Sequence, residues 1–265
     1  LTVWLMLLNH MDEIGKTLDS VKNVVVGGAA APYSMIQRFD EVHDAFLIHA
    51  WGMTETSPLG TSNVKTAAMN AMNREDRYRL QQKQGRAVFG VEMKIVDDSG
   101  NEQPHDGIAF GRLLVRGPWI IKKYYNNDDM SAFEDGWLDT GDVATIDPNH
   151  YLTIVDRSKD VIKSGGEWIS SIDLENAAVG HPELVEACVI GVAHEKWDER
   201  PLLLAIRKPG SNVTGDDIKQ FLDDKIAKWW MPDEIIFVDS LPHTATGKLL
   251  KMNLRKEYQD YLLNR

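Results

Sequence analysis

Two apolar runs that end in glycine place the strongest constraint on the fold. Residues 21–28 read VKNVVVGG, and residues 44–52 read DAFLIHAWG. Continuous runs rich in β-branched residues are typical of buried strands, and glycine marks the loops that leave them. Between the runs, Pro32 begins a stretch with apolar residues at helical spacing. Strand, helix and strand in this order predict an α/β fold with a parallel sheet and ligand-facing loops.

The pattern changes further along the chain. Residues 90–156 contain short alternating runs, such as GRLLVRG and HYLTIVD, which predict an antiparallel β subdomain. Strand and helix patterns then alternate without regular order. We therefore expect a first domain over residues 1–157 and a small α+β domain over residues 158–265.

Two helices of the small domain can be placed from local signals. Thr214 and Asp217 have the spacing of a capping box, which predicts a helix that runs to about Lys228. The amphipathic pattern of residues 249–263 predicts a final helix.

Charge and apolar length exclude several classes of protein. The chain has 29 Lys plus Arg against 40 Asp plus Glu, a formal net charge of −11. This balance argues against nucleic acid as the main partner, although it leaves room for a local basic site. No apolar run approaches the ~20 residues that a membrane helix needs, so we expect no stable membrane span.

The chain has one cysteine, Cys188, in the strand-like context EACVIGV. A single cysteine excludes an internal disulfide framework and a zinc site built on several thiolates. We expect a buried structural thiol and a reducing compartment, the cytoplasm.

The chain begins without Met, inside a helical pattern, and we expect a further part upstream.

Two motifs follow the predicted strands. GGAAAP at residues 27–32 lets a ligand approach the backbone closely, or is a structural strand-to-helix turn. WGMTETSP at residues 51–58 supplies an aromatic ring, hydroxyls and Glu55, whose carboxylate suits Mg²⁺ beside phosphate oxygens. The alternative for this motif is a polar turn. His49, beside it, either lines a substrate pocket or is a packed core histidine.

Three later motifs carry charge. In GWLDTGD, Asp142 suits the two hydroxyls of a ribose, with an Asx turn as the alternative. DRSKDVIKSGGEWISSIDLE, residues 156–175, sets basic residues around a Gly-Gly turn that can receive phosphates, or is a solvated hairpin. In PHTATGK, Lys248 is either a surface residue or a cation placed at a reacting phosphate.

Taken in order, these motifs resemble those of the adenylate-forming superfamily of acyl-CoA synthetases, luciferases and peptide-synthetase adenylation domains. The wording VIKSGGEWISSIDLEN is most similar to the medium- and long-chain fatty acyl-CoA ligases, including ligases for short methylthio acids. The resemblance implies an ATP-dependent ligase of fatty acid metabolism. A carboxylate attacks the α-phosphate of ATP to give an acyl-adenylate and pyrophosphate. The thiol of CoA then forms the thioester and releases AMP.

The resemblance also implies roles for individual residues. Residues 1–157 would be the C-terminal part of the large AMP-binding domain, with Glu55 as the Mg²⁺ ligand, and residues 158–265 the mobile C-terminal domain with Lys159 at its hinge. Lys248 would be essential for adenylation. The implied nucleotide-binding residues are Gly28, Ala29, Ala30, Trp51, Gly52, Met53, Thr54, Asp142 and Arg157. The implied loop on the CoA side consists of Lys163, Ser164, Gly165, Gly166 and Trp168.

The sequence departs from the family in one respect. The Gly-, Ser- and Thr-rich phosphate loop that ends in Pro-Lys is absent from these 265 residues, so we expect this stretch alone to be inactive. The expected cofactors are ATP, Mg²⁺ and CoA, and the expected partner is a small carboxylic acid, with a homodimer left open. The alternatives are an adenylation domain that loads a carrier protein and a non-catalytic nucleotide- or CoA-binding fragment.

Overall fold

The computed structural model describes residues 2–243 and 249–264. The chain divides into two compact units, Leu1–Ile154 and Val155–Arg265. Among the described residues, every helix is too short or too polar to cross a membrane.

The first unit begins with a four-stranded sheet covered by helices. Strands β1 and β2 are parallel, with Val24 opposite Leu47, as the glycine-ended runs predict. The third and fourth strands add to the sheet in antiparallel fashion, and the sequence analysis did not assign them. These elements are α1 (Thr2–Glu13), β1 (Asn23–Val26), α2 (Tyr33–His43), β2 (Phe46–Gly52), β3 (Leu59–Ser62), α3 (Arg74–Gln82) and β4 (Arg86–Ala87).

The helices cover this sheet through one apolar core. Leu8 of α1, Phe39 of α2 and Tyr78 of α3 pack with Val24 and Leu47 of the strands. All five side chains are almost completely buried. This buried core holds β2 in place between the helices, and it therefore also fixes the position of the last residue of the strand, from which the next segment continues.

The predicted antiparallel β subdomain is present as a second sheet in this unit. The strand order is β5-β6-β8-β7, and β9 pairs with β8. Its core contains Ile95, Leu113, Leu138 and Ile146, all fully or almost fully buried. The strands are β5 (Glu92–Val96), β6 (Phe110–Arg116), β7 (Phe133–Glu134), β8 (Trp137–Ile146) and β9 (Leu152–Arg157).

The second unit is an α+β sandwich around one sheet. The strand order is β11-β10-β13-β12, and β14 pairs in parallel with β13. This confirms the expected fold class. Its elements are β10 (Ile162–Ser164), β11 (Glu167–Ile169), α4 (Ser171–Val179), β12 (Leu184–His194), β13 (Asp198–Arg207), α5 (Gly215–Leu222), β14 (Glu234–Phe237) and α6 (Lys251–Tyr258).

The two faces of this sheet carry separate cores because side chains alternate along a strand. Val189 of β12 packs with Leu174 of α4 and Ile218 of α5. Its neighbour Cys188 faces the other side, with Leu254 of α6. Cys188 is a buried free thiol, as predicted, and burial, reinforced by the nearby Glu175, raises its pKa to about 12.

The two helices predicted for the small domain are present, but both are shorter than predicted. Thr214 and Asp217 form the predicted capping box. The helix ends at Leu222, not near Lys228, because two aspartates follow at a helix C-terminus, where negative charge is unfavourable. The last helix covers only Lys251–Tyr258, a shorter span than the amphipathic pattern suggested.

Candidate functional site

The residues after β2 form a tightly fixed turn. Thr56 is fully buried, and its hydroxyl accepts a hydrogen bond from the Met53 N–H at 2.9 Å and lies 2.7 Å from the Pro58 carbonyl oxygen. Gly52 is required here, because a Cβ at this position would lie 1.9 Å from that same carbonyl oxygen. The 3₁₀ turn that contains Glu55 is therefore held at one place against the end of the strand.

Glu55 has a partner that the sequence analysis missed. The Tyr124 hydroxyl donates a hydrogen bond to Glu55 Oε1 at 2.9 Å, and the Ile121 N–H donates to the Glu55 carbonyl oxygen at 3.0 Å. Burial, followed by the bond to Glu55, raises the pKa of Tyr124. Tyr124 lies 69 residues from Glu55, so no local signal could reveal this contact.

Trp51 and Asp142 form a buried pair that joins the two sheets of the first unit. The indole Nε1–H donates to Asp142 Oδ2 at 2.8 Å, and the exposed fractions are 8% for Trp51 and 4% for Asp142. Gly60 makes room for the ring, since a Cβ there would lie 2.2 Å from an indole carbon. The Trp51 ring is thus buried, and its N–H orients the Asp142 carboxylate through this hydrogen bond.

Asp142 lies inside β8, where the pairing of that strand with β6 is irregular, and its own side chain does not form the Asx turn considered for it. The Asx turn is made by Asp139, whose Oδ1 accepts from the Gly141 N–H at 2.9 Å. The Thr140 hydroxyl accepts from the Asp142 N–H at 3.2 Å and donates to the Leu113 carbonyl oxygen at 2.9 Å. The backbone of Asp142 is positioned by its neighbours, which leaves its carboxylate to interact with Trp51.

The predicted loop of small residues directly follows β1. Gly28, Ala29 and Ala30 are exposed, and Gly28 has a φ of 77°. The Ala29 carbonyl oxygen lies 3.3 Å from His49 Nε2, and the Gln82 carbonyl oxygen lies 2.8 Å from His49 Nδ1. Burial lowers the pKa of His49 although these carbonyls oppose the shift. Since both ring nitrogens face backbone oxygens, the structure favours the packed-histidine interpretation.

The remaining described candidates belong to the second unit. Arg157 ends β9 and begins a turn in which its carbonyl oxygen accepts from the Asp160 and Val161 N–H groups at 2.8 and 2.9 Å. Lys159 is exposed in that turn. Lys248 lies outside the described residues.

The Gly-Gly motif forms the turn of the predicted hairpin between β10 and β11. Gly165 and Gly166 have φ values of 61° and 87°, a region that favours glycine. The Gly165 N–H donates to the Trp197 carbonyl oxygen at 2.8 Å. A Cβ on Gly165 would lie 2.7 Å from the Trp197 ring, so this glycine also allows the turn to pack on an aromatic side chain.

Side chains on the strands of the hairpin contact each other and the neighbouring strand β13. The Lys163 ammonium lies 4.9 Å from the centre of the Trp168 ring, a cation–π contact. Arg200 donates to the Ser164 hydroxyl at 3.2 Å. The hairpin therefore presents one cation beside a Gly-Gly turn, an arrangement suited to phosphate groups.

Comparison with known proteins assigns the family. The model described as "AMP-binding enzyme" matches residues 2–125, and the model described as "AMP-binding enzyme C-terminal domain" matches residues 173–248. The chain belongs to the AMP-binding enzyme family. The chain spans about half the length of the curated relatives it matches.

Two curated relatives are CoA ligases. The 3-methylmercaptopropionyl-CoA ligase of Ruegeria lacuscaerulensis is 53% identical over 98% of this chain and 48% of its own length. The medium-chain-fatty-acid–CoA ligase of Ectopseudomonas oleovorans is 49% identical over the same shares.

A solved enzyme has the same fold. The o-succinylbenzoate CoA synthetase of Bacillus subtilis, in complex with its acyl-adenylate intermediate, superposes with a TM-score of 0.80 at 26% identity, over 94% of this chain and 49% of that one. The same synthetase with ATP and a magnesium ion gives a TM-score of 0.79 at 27% identity, over 96% of this chain and 50% of that one.

Proposed function

We propose that this chain is part of an ATP-dependent acyl-CoA ligase that forms an acyl-adenylate, transfers the acyl group to CoA and releases AMP and pyrophosphate. The observation that carries the proposal is the fixed pair of Trp51 and Asp142, four residues from the restrained Glu55 turn. A buried, oriented carboxylate beside a strand end suits ribose hydroxyls, and a second carboxylate suits a metal–phosphate group. The two CoA-ligase relatives support this interpretation.

In this proposal the nucleotide lies at the end of β2. Asp142 accepts hydrogen bonds from the ribose, and Arg157 is the second ribose contact. The backbone around the fixed turn contacts the rest of the nucleotide. The proposed contacts there are Gly28, Ala29, Ala30, Trp51, Gly52, Met53 and Thr54.

Glu55 is the proposed ligand of Mg²⁺. Among the residues that the structure describes, no group of three or more His, Cys, Asp or Glu side chains could hold a metal ion. A single half-buried carboxylate still fits Mg²⁺, because this ion is commonly bound by one or two carboxylates plus substrate phosphates. When bound, the ion would neutralise phosphate charge, and the Tyr124 hydroxyl would keep Glu55 oriented toward it.

The second half-reaction uses the smaller domain, for which we propose residues 158–265, with residues 1–157 as part of the large domain. Lys163, Ser164, Gly165, Gly166 and Trp168 would border the CoA thiol and phosphates. Lys248 would stabilise charge on the reacting phosphate during adenylation, and Lys159 would be the hinge between the two steps.

For the substrate we propose a fatty or methylthio carboxylic acid, on the basis of the two relatives. The proposed compartment is the cytoplasm, because the buried Cys188 thiol is free and thiols persist in reducing compartments.

The test is exchange of labelled pyrophosphate into ATP by the protein expressed from its complete reading frame. We expect exchange that requires Mg²⁺ and either 3-(methylthio)propionate or a medium-chain fatty acid. Glu55→Gln should lower the exchange rate by about 100-fold, because a charge-stabilising contact at the phosphates is lost. Glu13→Gln is the control, since the Glu13 side chain is 76% exposed on α1.

Three other results would contradict parts of the proposal. Nucleotide or CoA binding without exchange would replace the ligase proposal with a binding module. Exchange followed by acyl transfer only to a carrier protein would replace CoA as the acceptor. Equal rates for Glu55→Gln and Glu13→Gln would remove Glu55 as the metal ligand.

A further inference from the structure

The Gly-Gly hairpin is held in place by the beginning of β13. The Lys163 N–H donates a hydrogen bond to Glu199 Oε2 at 3.0 Å, and the Gly165 N–H donates to the Trp197 carbonyl oxygen at 2.8 Å. Gly191 on β12 allows the Glu199 carboxylate to lie here, since a Cβ on Gly191 would be 2.8 Å from Glu199 Oε2. The first strand of the hairpin and its turn are thus fixed from one side.

Ser164 lies between these two donors, and its side chain contacts the same strand. Ser164 is 5% exposed, and its hydroxyl oxygen accepts a hydrogen bond from Arg200 Nη1 at 3.2 Å. In the proposed function Ser164 belongs to the loop on the CoA side. Its buried hydroxyl is nevertheless suited to holding the loop through Arg200.

Arg200 also binds the segment that precedes β14. Its Nε donates to Asp233 Oδ1 at 2.6 Å. Its Nη1 and Nη2 donate to the carbonyl oxygens of Trp229 and Met231, both at 2.9 Å. The Arg200 side chain is 14% exposed. A planar guanidinium with five donors can serve these acceptors and Ser164 together, which the single ammonium of a lysine could not do.

Segment 229–233 has further support of its own. Lys219 of α5 donates to the Asp233 carbonyl oxygen at 2.8 Å, and the Asp233 N–H donates to the Pro201 carbonyl oxygen at 3.0 Å. The strand that follows pairs with β13, with Glu234 opposite Leu202. Arg200 therefore connects the hairpin to a segment whose position does not depend on Arg200 alone.

We propose that Arg200 is a positioning residue for the thioester-forming step, and that it acts by fixing the Gly-Gly hairpin through the Ser164 hydroxyl. The inference rests on the proposed function, in which this hairpin acts in thioester formation. A displaced turn would present its N–H groups and the Lys163 ammonium in the wrong place. Adenylation, which the proposed function assigns to other residues, should be spared.

The experiment compares Arg200→Met, Ser164→Ala and the double variant in the protein expressed from its complete reading frame. Arg207→Met is the matched control, because Arg207 lies at the other end of β13, is exposed and donates to the Val213 carbonyl oxygen at 2.8 Å. Thioester formation from synthetic acyl-adenylate and CoA is measured separately from acid-dependent pyrophosphate exchange. The temperature is one at which circular dichroism shows each assayed variant to be folded.

Arg200→Met should lower kcat for thioester formation by about 100-fold, because a misplacement of about 1 Å can have that effect, while pyrophosphate exchange changes less than about threefold. Ser164→Ala should lower the same kcat by about tenfold and spare exchange, since it removes one hydrogen bond to a charged group. Arg207→Met should leave both half-reactions unchanged.

The double variant separates an action through Ser164 from a direct contact between Ser164 and CoA. If Arg200 acts through the Ser164 hydroxyl, the double variant should be no slower than Arg200→Met, because both changes remove the same contact. Ser164→Ala keeps the three bonds from Arg200 to segment 229–233, so its selective loss tests the proposal even if Arg200→Met does not fold.

Equal losses in both half-reactions, no loss in either, or a further loss from Ser164→Ala in the Arg200→Met background would overturn the positioning role. Failure of the unchanged protein to form thioester from any acyl-adenylate and CoA would overturn the proposed function instead, so the two failures are distinguishable.

Discussion

At the scale of single residues, the candidate site contains a hydrogen bond between Trp51 and Asp142, which lie 91 positions apart in the sequence. A buried carboxylate is costly unless it accepts hydrogen bonds. The Trp51 indole donates one such bond to Asp142. Residue 60 must be glycine, because a Cβ at this position would clash with the indole ring. Trp51 acts here as a donor that orients Asp142, a role that the motif WGMTETSP does not reveal by itself.

We predict that Trp51→Phe lowers the free energy of unfolding by about 1–3 kcal/mol, the cost of removing the indole hydrogen bond from a buried carboxylate. The measurement is urea denaturation of Trp51→Phe, Asp142→Asn and the double variant. The single changes should be non-additive, because both remove the same contact. Additivity within about 0.5 kcal/mol would show that the pair contributes no coupling energy.

At the scale of elements, the connection between β8 and β9 is organised by Asp147. Its carboxylate accepts from the Asn149 and Tyr151 N–H groups at 2.8 and 3.0 Å, and from Lys83 Nζ at 2.6 Å. Burial would raise the pKa of Asp147, but the hydrogen bonds from Lys83 and Tyr151 outweigh burial and lower it. The folded protein therefore favours the ionised carboxylate, and the turn is stabilised only while Asp147 is charged.

We predict that Asp147→Asn lowers the free energy of unfolding at neutral pH by about 1.5–3 kcal/mol, as expected for hydrogen bonds to a charged group. Because the pKa of Asp147 is lower in the folded state, this contribution is present above the unfolded value of about 3.9 and is lost as pH falls below it. Urea denaturation between pH 7 and pH 3 should show the two proteins converging at low pH. A constant difference at every pH would contradict the charge-based account.

Elements with strong local signals could be predicted from the sequence. The β-branched run before Gly27 predicts β1, and the Thr214–Asp217 spacing predicts the start of α5, because both signals lie within a few residues. The antiparallel strand β3 has the short sequence LGTS, which carries too few apolar residues for such a signal. Its place is decided by pairing with β2.

The chemistry of the site was only partly predictable for the same reason. Glu55 stands out as a carboxylate just after a strand-like run, and Asp142 as a carboxylate at the end of a strand-like turn. Tyr124 does not, since nothing near it in the sequence indicates a contact with Glu55. Arg200 is similar: its partner Ser164 is 36 positions away. Contacts of this kind follow from topology, which single-sequence patterns do not specify.

At the scale of the whole molecule, the acidic net charge of −11 coexists with local cations at the phosphate-binding candidates. Lys163 and Lys248 are in the smaller domain as we propose it, whereas Glu55, Asp142 and Arg157 are in the larger one. Under the proposed function, the larger domain would hold the nucleotide, and the cations of the smaller domain would act on its phosphates and on CoA.

The most direct test of this account is the product analysis of one complete turnover. The protein from its complete reading frame would be incubated with ATP, Mg²⁺, CoA and 3-(methylthio)propionate or a medium-chain fatty acid, and the products quantified by liquid chromatography and mass spectrometry. We expect AMP, pyrophosphate and acyl-CoA in equal amounts, with acyl-adenylate accumulating when CoA is omitted. Formation of ADP and phosphate, or acyl-CoA without an acyl-adenylate, would contradict it.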